Sequence, residues 1–210
     1  MDQAGQIYSS DVAFTPAVKA VQERKGSRDA YARVEQGGSW ATHVTAELAA
    51  FIAEQTSLFL ATASAAGQPY VQHRGGPPGF LRVLDDTTLG FVDFVGNKQF
   101  ITLGNLAEND RAQLFLIDYT ARRRIKIWGR AEVVEGDEKL TAALMPPNYR
   151  ARPSQVILFK VSAWDANCPQ HIPLKIDAAE VNAALAERDE RISLLEAEVA
   201  ALRAAATARS

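Results

Sequence analysis

The 210-residue sequence is poor in the residues that staple or metallate a fold: it has one cysteine, three histidines and two methionines. Cys168 has no partner for an internal disulfide, and no cysteine pair or His triad has the spacing of a zinc site. A chain of this length buries roughly 70% of its unfolded surface, so its core needs neither device. Basic excess is missing too. The formal net charge is −2, from 23 Lys plus Arg against 25 Asp plus Glu, which argues against a dedicated nucleic-acid binder. No stretch approaches the about 18 apolar residues of a membrane span. Met1-Asp2-Gln3-Ala4-Gly5 carries an acid where a secretory peptide has a base, and no apolar segment follows it. These absences predict a cytoplasmic protein with no membrane or nucleic-acid partner and no metal site. There is no Walker A motif. Gly75-Gly76-Pro77-Pro78-Gly79 does not serve as a dinucleotide fingerprint, because two prolines cannot donate the N–H groups of a phosphate cradle.

What is present, with 47% hydrophobic residues, is divided along the chain. Residues 1–44 are polar and read as a helical leader, with a helix over Thr15 to Val34 interrupted at Gly26 and a break at Gly37-Gly38-Ser39. After Thr45 as an N-cap, Leu48, Phe51 and Ile52 have the spacing of a short helix that buries one face. From Ser57 the pattern becomes short apolar or alternating runs divided by Gly, Pro, Asp and Asn. Leu58–Thr62 and Pro69–Arg74 form a hairpin across Ala65-Ala66-Gly67-Gln68, and further strands are predicted at Gly79–Leu84, Thr88–Phe94, Arg111–Asp118, Arg123–Val134 and Gln155–Val161. Lys98–Ala107 is the one helix expected among them. These are seven strand candidates, and the reading is a mainly β, α+β domain over 45–174 built on a six-stranded antiparallel barrel with flanking helices.

The last 36 residues, 175–210, hold five of the bases, seven of the acids and 12 alanines. Asp177-Ala178-Ala179-Glu180 has the form of a capping box and predicts a helix start. Leu185, Ile192, Val199 and Ala206 fall at heptad position a, and Val181, Arg188, Leu195 and Leu202 at d. The seam suits a coiled coil between two chains; an amphipathic helix folded onto its own barrel, or a frayed tail, would use the same pattern.

Three polar clusters carry chemistry. Five bases and no acid occupy the eleven residues Thr120 to Arg130. Strand alternation puts Arg122, Arg124, Lys126, Trp128 and Arg130 on one face and Arg123, Ile125 and Ile127 on the other. Such a stripe fits a phosphate or a planar anion, and equally a solvated face of paired charges. Gln72-His73-Arg74-Gly75 ends a strand with a donor, a titratable ring, a cation and a small residue. Lys98, Thr102 and Asn105 fall at i, i+4 and i+7, one helical face near an anion-favouring N-terminus. In Trp164–Pro173, Cys168 and His171 invite a thiolate–base reading, which no resolving cysteine supports.

Gln72–Phe80 (QHRGGPPGF), Gly96–Leu106 (GNKQFITLGNL), Asn109-Asp110-Arg111-Ala112, the Arg-rich strand ending in Gly129 and Trp164–Pro173 (WDANCPQHIP) resemble, in order, the flavin-nucleotide-binding split-barrel family related to pyridoxamine 5'-phosphate oxidase. The resemblance implies a homodimer of split barrels with FMN at the subunit interface, FAD or a deazaflavin being alternatives. It implies that Gln72, His73, Arg74 and Gly75 line the flavin ring, that Lys98 and Thr102, with Asn105, hold the phosphate, that Arg123 and Arg124 mark the start of a cofactor-facing strand, and that Trp164 and His171 wall the substrate side. The oxidases' Ser-Arg-Lys phosphate motif and the Gln of their Arg-Gln pair are absent here, which leaves the choice of phosphate ligands open, and Asn167-Cys168-Pro169-Gln170-His171 stands in place of their closing Arg-Leu-x-Pro pattern, which argues against vitamin B6 oxidation. The expectation is an FMN-dependent oxidoreductase on a small molecule, with no side chain assigned a catalytic role. A flavin carrier or sensor, or a non-flavin barrel binding another anion or nucleic acid, are the rival readings.

Overall fold

A computed structural model of the chain describes residues 7–208; the opening Met1–Gly5 segment lies outside them. The described residues form two compact units, residues 7–118 with 123–169, and residues 119–122 with 170–208.

In the first unit a 3-10 turn, Ser9–Val12, leads to α1 (Pro16–Lys25) and α2 (Arg28–Gln36). The hydroxyl of Thr15 caps α1 by accepting from Val18 N at 3.3 Å, and Gly26 ends it in the left-handed region at φ 75°, a conformation that costs glycine nothing. The interruption expected at Gly26 is therefore a true helix boundary. Glu35, buried at the end of α2, is held by Arg28 and by Lys19, whose ammonium also reaches Asp11 at 2.6 Å. A third helix, α3 (Ala46–Glu54), begins as its sequence promises: Thr45 Oγ1 accepts from Leu48 N at 3.2 Å, and Leu48, Phe51 and Ile52 are buried.

Seven antiparallel strands follow: β1 (Ser57–Ala63), β2 (Pro69–Gly75), β3 (Arg82–Val83), β4 (Thr88–Phe94), β5 (Arg111–Asp118), β6 (Arg123–Val134) and β7 (Pro153–Asn167). Their order in the one sheet is β2-β1-β5-β6-β7-β4-β3, with α4 (Ile101–Glu108) between β4 and β5 and α5 (Glu138–Leu144) between β6 and β7. This is the α+β split barrel of the sequence reading, with the two-residue β3 as a stub beside six full strands. Several elements differ from expectation: α5 is a second helix among the strands where one was expected, and the strand expected at Gly79–Leu84 is only the two-residue β3. β7 runs on to Asn167, because Trp164–Asn167, polar enough to read as a loop, pairs with Arg124–Ile127. α4 starts at Ile101, not Lys98, since Lys98 and Phe100 both take positive φ, 60° and 56°.

A main core fills the barrel, and a second, smaller cluster of Val92, Leu144 and Val156 joins α5 to β4 and β7. Alternation on β1 buries Leu58 and Leu60, β5 adds Leu114 and Leu116, β6 Ile125 and Ile127, β7 Ile157 and Phe159, and α3 covers them with Leu48 and Ile52. The β6–β7 pairing slips between Trp128 and Gly129, a bulge at which a Cβ on Gly129 would lie 2.1 Å from Lys160 O and 2.6 Å from a ring carbon of Phe159. Backbone is what blocks it, so Gly129→Ala is expected to lower unfolding stability by on the order of 1–3 kcal/mol, read from the denaturant midpoint.

Candidate functional site

The sheet's two ends meet at a cavity of about 470 Å³, within the range of small-molecule sites. The end of β2, the end of β4 with the loop that follows it, and the entry to β7 line it. Gln72, His73, Arg74, Gly75 and Lys98 are all among the lining residues, so the structure brings together two clusters that the sequence keeps apart by more than twenty positions.

Strand alternation sorts the β2 cluster. Gln72 and Arg74 lie on the face of Leu60 and Leu58, their cross-strand partners, while His73 pairs with Phe59 on the opposite face. There the His73 ring packs edge-on to Phe59, centroids 5.6 Å apart, and its Nε2 lies 2.7 Å from Ser57 Oγ. Arg74 reaches β4: its Nε lies 2.6 Å from Asp93 Oδ1 and its Nη2 donates to Asp93 Oδ2 at 3.4 Å. Gln155 Nε2 donates to Asp93 Oδ2 at 2.6 Å. Burial raises the Asp93 pKa above its ordinary value, and the Arg74 charge and the Gln155 and Arg74 hydrogen bonds only partly offset this.

Thr102 and Asn105 have a different part. Both are buried on α4; Thr102 Oγ1 donates to Gln72 Oε1 at 3.0 Å and Asn105 Nδ2 donates to Thr62 Oγ1 at 3.0 Å. They pin α4 against β1 and β2 and orient Gln72. The single polar face expected of Lys98, Thr102 and Asn105 is therefore not formed, since Lys98 belongs to the turn before the helix. Two left-handed non-glycine residues in that turn, Lys98 and the 56% exposed Phe100, are costly at about 1–3 kcal/mol each and place both at the cavity.

Arg123, Arg124 and Trp164 do not line this cavity. Arg123 pairs with Glu47 at 3.0 Å and lies over the Phe51 ring at 5.0 Å. On the outer face Lys126 pairs with Asp165 at 3.4 Å and Arg130 with Asp110 at 2.5 Å, and Trp128 stacks on Trp40 at 4.7 Å. The basic strand is thus chiefly a face of paired charges, its acids supplied by other elements; Arg124 alone among these four cations has no ion pair among the described residues. Trp164 Nε1 donates to His43 O at 2.8 Å. His171, with φ 64°, and the 119–122 turn belong to the second unit, and Cys168 is exposed.

Sequence reasoning missed Asp93, Arg152, Ser154 and Gln155, all of which line the cavity. Asp93 had a signal: an acid inside the otherwise apolar strand Leu89–Phe94 is one that the fold must neutralise. Arg152 had none. Neither Lys98 nor Arg152 forms an ion pair among the described residues, so both charges are available to a ligand.

This barrel, with a cationic cavity where its edges meet, defines a class before it defines a family. The sequence model described as pyridoxamine 5'-phosphate oxidase matches residues 44–168, more than half of the chain, and the chain belongs to that family. Among solved structures, HupZ of Group A Streptococcus is 21% identical over 63% of this chain and 99% of its own, with a TM-score of 0.46. General Stress Protein 26 of Bacillus anthracis is 14% identical over 56% and 88%, TM-score 0.43. HutZ, the heme storage protein of Vibrio cholerae, is 17% identical over 57% and 89%, TM-score 0.39. No curated relative matches at a significant level. Among the described residues no helix is long and apolar enough to cross a membrane, and no group of three His, Cys, Asp or Glu side chains is placed to hold a metal.

The raised pKa of Asp93 fixes a sign. The folded state holds this proton to a higher pH than the unfolded chain does, so stability falls as pH rises from about 3.8 through the folded value. Asp110, lowered by its bond from Arg130, and Asp85, lowered to about 2 by the Thr87 N–H, act only below that window. Asp93→Asn is therefore expected to gain stability relative to the native chain as pH rises above about 4, measured by chemical unfolding; a pH-independent difference would refute the assignment.

Proposed function

We propose that the protein binds FMN and acts as a cytoplasmic flavin-dependent oxidoreductase on a small molecule. The observation that carries the reading is the charge of the cavity. Arg74, Lys98 and Arg152 face one carboxylate, Asp93, leaving two positive charges against the −1.5 to −2 or so of a phosphate monoester. These groups fit a phosphorylated cofactor, and membership of the pyridoxamine 5'-phosphate oxidase family favours a flavin nucleotide among such ligands.

In this reading Lys98 and Arg152 hold the phosphate and Arg74, clamped by Asp93, adds a fixed charge. Gln72, oriented by the Thr102 hydroxyl, supplies an amide donor to the ring edge, and Gly75 admits the ligand close to the backbone. A bound flavin would supply the electron transfer, and a cation near its ring raises its reduction potential by stabilising the negative charge of the reduced form. Thr102 and Asn105 act through the position of α4. A homodimer sharing the cofactor belongs to the same reading: the outer face carries an aromatic row, His73, Phe59 and Phe115, across three neighbouring strands, next to the 59% exposed Val71.

The purified protein should show flavin absorbance, or gain it with added FMN, at dimer mass. Lys98→Ala and Arg152→Ala should each weaken FMN retention by about tenfold or more, since a charged hydrogen bond contributes on the order of 1.5–3 kcal/mol, whereas Arg130→Ala, on the paired outer face, should not. A colourless protein that takes up no FMN sinks the reading. Anaerobic NADH or NADPH should bleach the flavin bands and air restore them; a flavin that neither donor reduces would make the protein a carrier.

A further inference from the structure

The helix α6 (Ala178–Thr207) is 30 residues long, about 45 Å, and none of its residues is buried. Its start is fixed by Asp177, whose Oδ1 accepts from Ala179 N at 2.7 Å. Along one side Val181, Leu185, Ile192, Leu195, Val199 and Leu202 are 39–63% exposed, at the alternating spacing of three and four that keeps a seam facing a partner helix.

We infer that this seam is covered by the same seam of a second copy, in a parallel, in-register coiled coil in which Arg188 of each chain lies against Asp189 of the other. The charges beside the seam choose the occupant. In parallel register, position g of one helix faces position e of the next heptad on its partner. Arg191 then meets Glu196 and Glu198 meets Arg203, each contact occurring twice and each attractive. Reversing one helix in the register that pairs Ile192 with Leu195 keeps Arg191 against Glu198 but sets Asp189 against Glu196, so attraction and repulsion balance. The other antiparallel registers, one heptad either way, put Arg191 on Arg191 or Glu198 on Glu198.

Arg188 is the apparent misfit, a cation at position d. In the parallel arrangement a d side chain packs into a hole whose rim includes the partner's e residue, and here that residue is Asp189. Its long apolar stem fills the layer while the guanidinium reaches the acid at the edge. A polar residue at one seam position lowers stability but penalises every register that loses its partner, which makes Arg188 the register key.

The test uses the full chain with Cys168→Ser, so that no other thiol remains. Adding Leu195→Cys puts one thiol at a d position, where parallel in-register helices bring the two thiols face to face. Mild oxidation should shift the chain to dimer mass on a denaturing gel. Ile192→Asp in the same background should abolish the shift. Arg191→Glu should reduce the cross-linked fraction at low salt, and adding Glu196→Arg should restore it. No cross-link from Leu195→Cys overturns the proposal, as does one that forms only when Leu195→Cys chains are mixed with Ile192→Cys chains, the antiparallel result. The yield should be equal with and without FMN, so failure here and failure of the flavin reading are separate outcomes.

Discussion

The ion pair between Arg74 on β2 and Asp93 on β4 is the constraint from which the rest of the first unit can be read. In the sheet order these strands stand five places apart, so the two side chains touch only because the sheet curls until one edge approaches the other. Both are nearly buried, with side-chain exposures of 12% and 7%. Breaking such a pair by deleting one partner typically costs about 3–5 kcal/mol, because the remaining charge stays in low dielectric. Asp93 is the weaker member: desolvation outweighs its partners and raises its pKa. The fold keeps an expensive carboxylate at the closure of its barrel, and the effect is to hold a guanidinium still at the wall of a cavity. A cation fixed in advance needs little reordering when an anion arrives.

Charge placement elsewhere makes that wall distinctive. The basic run of β6 attracts notice in the sequence because no acid lies near it, yet Glu47, Asp165 and Asp110 come to it from α3, β7 and the turn before β5. Register does this: Lys126 and Asp165 are direct cross-strand neighbours, as are Arg111 and Arg130, the latter drawn aside to Asp110. Exposed pairs of this kind contribute little stability. Their consequence is to leave the loop after β4 and the entry to β7 as the place where Lys98 and Arg152 remain uncompensated beside Arg74.

Periodicity made the barrel legible. Alternation on β1, β5 and β6 and the Thr45-capped face of α3 are local signals, and each became the element expected of it. The misses are equally physical. Trp164–Asn167 is polar and carries no strand signal; it is a strand because Arg124–Ile127 offers it hydrogen bonds. Lys98 fits a helical face by spacing, but the turn requires left-handed backbone at Lys98 and Phe100, which no propensity announces. Half of the site was visible as Gln72, Arg74, Gly75 and Lys98. Its other half, Asp93, Arg152 and Gln155, depends on closure of the sheet, a contact between distant positions that no window of sequence contains.

The second unit is legible for the opposite reason: α6 depends on nothing distant. Alanine is the commonest residue at its positions away from the seam, including Ala183, Ala186, Ala197, Ala200 and Ala201, and alanine has the highest helix propensity of all residues. Propensity can therefore form the helix without a packed face, leaving Ile192, Leu195 and Val199 in solvent. Apolar side chains at every third and fourth position are not needed for such a helix to form, and in solvent each lowers solubility. A seam kept on a helix that does not need it points to a use between chains. The molecule thus combines two features with separate physics, a cationic cavity that follows from long-range closure and an exposed apolar seam written in local sequence.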